Sequence, residues 1–118
     1  MLIRLINIGR AAARPIELFS SVAASSVELA HGAGESHAYV VHIAPGGCIG
    51  PHPAGFDQLF LVSQGAGWVA GADGVRHSVD VSRAAFVPTG EVHSKGSEAG
   101  MVAVMVQASS FSLPGGEA

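Results

Sequence analysis

Pro45-Gly46-Gly47-Cys48-Ile49-Gly50-Pro51-His52-Pro53-Ala54-Gly55-Phe56-Asp57-Gln58 runs straight into Leu59-Phe60-Leu61-Val62-Ser63-Gln64-Gly65. Glycine and proline punctuate the first part, and the second part is an apolar run of strand length. Extended backbone alternates its side chains, so Gln58, Phe60 and Val62 share one face while Leu59 and Leu61 share the other. An imidazole, His52, thus precedes a strand that opens on an amide. Further along, Ala85-Phe86-Val87-Pro88-Thr89-Gly90-Glu91-Val92-His93 ends another apolar run in a Pro-Thr-Gly turn and delivers a second imidazole just beyond it.

The same rhythm holds on either side of these stretches. The sequence holds 16 glycines, most of them between short apolar runs. Such spacing predicts an all-β fold, a sandwich or barrel of short strands with little or no helix. Strands are expected at 2–8, 36–43, 58–63, 67–70, 75–81, 84–87 and 101–107. Gly71-Ala72-Asp73-Gly74, between two of these, carries the Asp-Gly pair of a tight hairpin. Residues 101–107 are nearly continuous in apolar side chains, as suits a strand covered on both faces. Ala11-Ala12-Ala13-Arg14 could open a helix, but Pro15 disfavours that conformation immediately before it. Residues 20–26 read as a loop, and 113–118, with Pro114-Gly115-Gly116, as a frayed tail. No repeat or linker is visible, so 1–118 is expected to form a single domain.

At 118 residues the chain suffices for one hydrophobic core and is too short for two. Hydrophobic residues make up 48% and charged residues 13%, a balance that argues against disorder. A net charge of −3 with 6 Lys+Arg leaves no basic stripe, so neither nucleic acid nor an anionic membrane surface is an expected partner. No apolar run reaches the roughly 20 residues that span a bilayer. Arg4, Arg10 and Arg14 among small and apolar residues hint at a targeting peptide, but 2–8 reads better as a strand. The lone Cys48 makes no internal disulfide, and a reducing cytoplasm is the expected location.

Together the two stretches resemble the two-part motif of the cupins. In that family the first motif runs glycine, five residues, His-x-His, three or four residues, glutamate, six residues, glycine. Gly46, His52, Gln58 and Gly65 fall on this spacing, with Ala54 in place of the second histidine and Gln58 in place of the glutamate. The second motif runs glycine, five residues, Pro-x-Gly, two residues, histidine, three residues, asparagine. Pro88, Gly90 and His93 match it, while Ser82 and Ser97 replace its ends. The resemblance covers about 46–65 and 82–97, in order and separated by the Asp73-Gly74 hairpin. It implies a single cupin-like β-barrel, a double-sheet jelly roll with a pocket open at one end, and a homodimer as the usual assembly.

The resemblance also implies that His52, Gln58 and His93 converge inside. Typical cupins hold Fe, Mn, Ni, Cu or Zn there through three histidines and a glutamate, so these three residues are the candidate metal ligands. Loss of one imidazole and exchange of carboxylate for amide lower the expected affinity for a divalent metal. A metal-free, hydrogen-bonded polar pocket therefore stands beside the metal site. Glu91 is the candidate catalytic acid or base. It could complete a two-His-one-carboxylate set, accept a hydrogen bond from His93, or be a solvated turn residue. Asp57 should face away from Gln58.

Phe60 and Trp68 are the candidate pocket walls, and with Phe86 and Tyr39 they are core aromatics first. His42 and His77 read as strand residues, His31 and His37 as solvated, and Cys48 as a small strand residue. No nucleophile elbow or phosphate-binding loop is present. Two functions fit, each with a small-molecule ligand: a metal-dependent enzyme of oxygenase or isomerase type, or a non-catalytic binding or sensing protein without tightly bound metal.

Overall fold

The computed structural model describes residues 3–114. Its strands are β1 (Arg4–Asn7), β2 (Arg14–Pro15), β3 (Ser25–Ser26), β4 (His31–Ile43), β5 (Gly47–Pro53), β6 (Asp57–Ala70), β7 (Arg76–Asp80), β8 (Arg83–Val87), β9 (Val92–Ser97) and β10 (Met101–Ser112). The one helical segment among the described residues is a 3-10 turn at Arg10–Ala12. Pro15 stops the alanine run from propagating further.

β6 belongs to two sheets. Residues 58–60 pair with β8 on one side and β10 on the other. Residues 66–70 pair with β7, and 68–70 with β9. β1 extends the first sheet beyond β8 and β4 extends it beyond β10, while β5 extends the second beyond β9. The strand turns the corner where the ladder to β10 slips past Ser63, a bulge that bends the backbone. Just beyond it Gly65 has φ +78, and a Cβ there would stand 2.3 Å from the Gly100 carbonyl oxygen. Only glycine accommodates both the left-handed conformation and that approach.

The inner faces of both sheets bury Phe60, Val62, Val69, Val79, Val87 and Met101 in one cluster. A second cluster, Leu59, Phe86, Ala108, Phe111 and Leu113, covers the other side of the first sheet. Alternation along β6 explains the division, since Phe60 and Leu59 point to opposite faces.

The all-β jelly roll agrees with the sequence, and several details differ. The strands do not close into a barrel: β1 and β4 remain edges, and the two sheets are joined by β6, by the Asp80–Arg83 pair between β7 and β8, and by side-chain burial. The strands expected at 58–63 and 67–70 are one bent strand. β5 and β9 were hidden in glycine- and proline-rich sequence, and form because they pair with each other. Leu113 is buried at 5% exposure rather than frayed, because the second cluster gives its side chain a place to bury. Leu2 and residues 115–118 lie outside the described residues. Tyr39 is 48% exposed on β4 and is not core.

Gly65→Ala should lower the unfolding free energy by about 2 kcal/mol or more, combining left-handed strain with the clash. Urea unfolding reads this directly, and an unchanged midpoint would contradict the role assigned to the corner.

Candidate functional site

β5 and β9 run antiparallel with His52 directly opposite His93. Their ring centroids are 4.5 Å apart and the rings are tilted by 52°. The loops around them are tied together: Ala54 N–H donates to the Glu91 carbonyl at 2.9 Å, and Gly90 N–H to the Ala54 carbonyl at 2.8 Å. His52 is exposed, and its Nδ1 lies 2.8 Å from the Gly50 carbonyl oxygen. That carbonyl can only accept, so Nδ1 carries a proton. Ala54, at the position of the missing second histidine, is buried and contributes a methyl to the core.

Behind His52 the polarity goes deep. His93 is 1% exposed, and so is Lys95 two residues along the same face of β9. The Lys95 Nζ lies 2.7 Å from His93 Nδ1 and 5.0 Å from the centre of the Phe60 ring. Burial pulls the Lys95 ammonium down to about 7 from its usual 10.5. Burial first, then the charges of Lys95 and His52, hold the His93 imidazole down to about 3. Gln58 shares the inner face with Phe60 and is also buried. Two atoms in this interior have no hydrogen-bond partner among the described residues: Gln58 Oε1 and His93 Nε2.

The remaining sequence candidates are placed elsewhere or serve the fold. Trp68 lies on the outer face of the second sheet, since Val69 points inward, and its ring packs over Gly96. The Arg76 guanidinium stacks 4.0 Å from the Trp68 ring centre. Both line a shallow external groove of about 280 Å³ with Cys48 and Ser94. Trp68 is therefore not brought to the imidazoles, whereas Phe60 lies beneath Lys95, the partner of His93. Glu91 is half-buried on the turn before β9, and its backbone bonds to Ala54 and Pro88. Asp57 is structural: its carboxylate accepts from the Thr89 N–H and hydroxyl at 2.8 Å and from the Phe111 N–H at 2.9 Å. His31 and His37 sit beside Glu28 and Glu35 on β4 and the segment before it.

No family model matches this sequence, and no curated protein matches it. Solved structures do. A cupin superfamily protein from Desulfitobacterium hafniense DCB-2 aligns with a TM-score of 0.58 at 18% identity, over 89% of this chain and 97% of that one. An uncharacterised protein with a double-stranded β-helix domain from Klebsiella pneumoniae aligns with a TM-score of 0.58 at 20% identity, over 87% and 90%. This chain has the cupin fold. The DMSP lyase DddQ from Ruegeria pomeroyi also shares it, with a TM-score of 0.57 at 13% identity, and this chain spans 61% of that protein. At such identities the likeness concerns the fold alone.

Within this cupin fold the residues present do not fit a tightly held divalent metal. His52, Gln58 and His93 offer two neutral imidazoles and an amide, with no anionic donor. No group of three His, Cys, Asp or Glu is placed to hold a metal among the described residues. One imidazole already has its Nδ1 against the Lys95 nitrogen, and an ammonium in the same apolar space repels a dication.

Lys95 is the residue that sequence reasoning missed. The signal was there, because an inward His93 on a strand makes residue 95 inward as well. Attention to imidazoles alone passes over a lysine.

The two depressed values set a pH dependence. Both groups are bases whose folded value lies below the unfolded one, so the unfolded chain binds the extra proton between the two. Stability therefore rises with pH across each window, from about 3 to 6.5 for His93 and from about 7 to 10.5 for Lys95. Chemical denaturation of the Lys95→Met variant should lose the upper rise, worth up to roughly 1.4 kcal/mol per pH unit. Parallel profiles for variant and wild type would refute the buried ammonium.

Proposed function

We propose that this chain is a small-molecule-binding protein of the cupin fold whose interior takes a small polar ligand without a tightly bound metal. The observation that carries this reading is the pair of buried, unpartnered atoms, Gln58 Oε1 and His93 Nε2. A buried polar atom without a partner costs about 1–3 kcal/mol, and a ligand that bonds to it recovers that free energy on binding. His52, exposed and with its ring centre 4.5 Å from that of His93, would meet a ligand on its way in. The proposal assigns binding to His52, Gln58 and His93, with Phe60 as the apolar wall. It assigns no proton transfer to Glu91.

The experiment has two arms. Elemental analysis of untagged protein, before and after incubation with Fe, Mn, Ni, Cu and Zn, should find far less than one equivalent. Near-stoichiometric metal that disappears in both His52→Ala and His93→Ala would overturn the reading in favour of a metal-dependent enzyme. In the second arm, amide NMR with a panel of small polar organic molecules should shift resonances of β5 and β9, and His93→Ala should weaken the strongest binder by about tenfold or more. A panel that shifts nothing would also overturn it.

The same proposal places the protein in the cytoplasm, on its lone and exposed Cys48. It takes the assembly to be a homodimer, with β4 as the pairing edge because Tyr39 and Val40 are exposed there. Sedimentation should give twice the chain mass, and a monomer at all concentrations would contradict it. Among the described residues no helix is long and apolar enough to cross a membrane.

A further inference from the structure

Lys95 is buried at 1% exposure, yet no carboxylate is paired with it among the described residues. Its contacts there are the His93 Nδ1 at 2.7 Å and the face of Phe60 at 5.0 Å. A buried ammonium without a counter-charge is among the costliest arrangements a fold can hold. The hydrogen bond also fixes the chemistry of its neighbour. A protonated Lys95 has only donors, so Nδ1 of His93 then accepts, and the neutral ring carries its proton on Nε2. Nε2 is the atom left buried without an acceptor, and Gln58 Oε1 is the carbonyl left without a donor. The interior thus holds one cation, seated over the face of Phe60, one free N–H and one free carbonyl oxygen.

We propose that Lys95 is the resident cation of this cupin interior, and that the ligand it selects is a small hydroxycarboxylate. The carboxylate supplies the counter-charge to Lys95 and accepts from His93 Nε2–H. The hydroxyl donates to Gln58 Oε1. Each unsatisfied group then has a partner of opposite kind, and the charge is neutralised where water cannot do it. This deepens the small-ligand reading above and rests on it, naming the ligand class and the residue that sets it.

The test uses the full chain in slightly acidic buffer, with glycolate and lactate as probes, followed by amide NMR and thermal unfolding. Acetate keeps the charge and lacks the hydroxyl, and ethylene glycol keeps hydroxyls and lacks the charge. Glycolate or lactate should bind and raise the unfolding temperature. Acetate should bind about tenfold more weakly, for want of the bond to Gln58, and ethylene glycol should not bind measurably. Lys95→Met keeps the volume and removes the cation. It should reduce hydroxycarboxylate binding about a hundredfold, while the ligand-free variant unfolds at or above the wild-type temperature.

Ethylene glycol binding as tightly as glycolate, or undiminished binding to Lys95→Met, would overturn the cation's role and leave the small-ligand reading standing. So would a ligand-free Lys95→Met that folds but is markedly less stable than wild type. If neither probe binds while another polar molecule of the panel does, the ligand class is overturned alone. If nothing in the panel binds, or a stoichiometric metal is found, both readings fail together.

Discussion

One long strand, β6, pairs along its length with both sheets, and nearly everything else follows from the corner it turns. Because Gly65 tolerates φ +78 beside the Gly100 carbonyl, the strand leaves the first sheet after Gly65 and enters the second at Ala66. Its first half brings Gln58 and Phe60 to the interior from one sheet. Its second half pairs with β9, the strand that carries His93 and Lys95, from the other. Two polar elements far apart in sequence therefore face one core across the bend. No side chain at the corner is needed for this, only backbone freedom and a close approach.

Electrostatics inside the core then decide what the fold has become in this chain. The interior holds an amide at Gln58, an imidazole at His93, a methyl at Ala54 and the amino group of Lys95. A side-chain cation differs from a bound metal in one respect: the group that carries it is part of every copy, and the desolvation of its charged form is borne by the folded state. Apolar packing around Phe60, Val69 and Val79 supplies the compensating stability. The cation–aromatic contact with Phe60 returns part of the lost hydration.

Much of the fold was legible in the residues. Alternation of Gln58, Leu59 and Phe60 correctly separated two faces, and those faces became two distinct clusters. Motif spacing set His52 and His93 in view, and the structure places them opposite each other across one ladder. Trp68 was harder to place. The bulge near Ser63 shifts the alternation between the two halves of β6, so a count of even and odd positions from Gln58 puts Trp68 inside, whereas the strand turns it outward. Lysine is ordinarily a surface residue, although the spacing of Lys95 from His93 places it on the inward face.

The sequence alone determined the strand-rich class, the hairpin at Asp73-Gly74, and which residues hold the two imidazoles, since these depend on local backbone preference and on alternation within a strand. Only the tertiary structure decided that the sheets stay open at β1 and β4, that Trp68 faces solvent, and that Lys95 is enclosed beside His93. Those outcomes depend on where a bulge falls and on which strands find each other across the chain. Both are long-range matters, governed by burial and pairing between segments that carry no mark of one another in sequence.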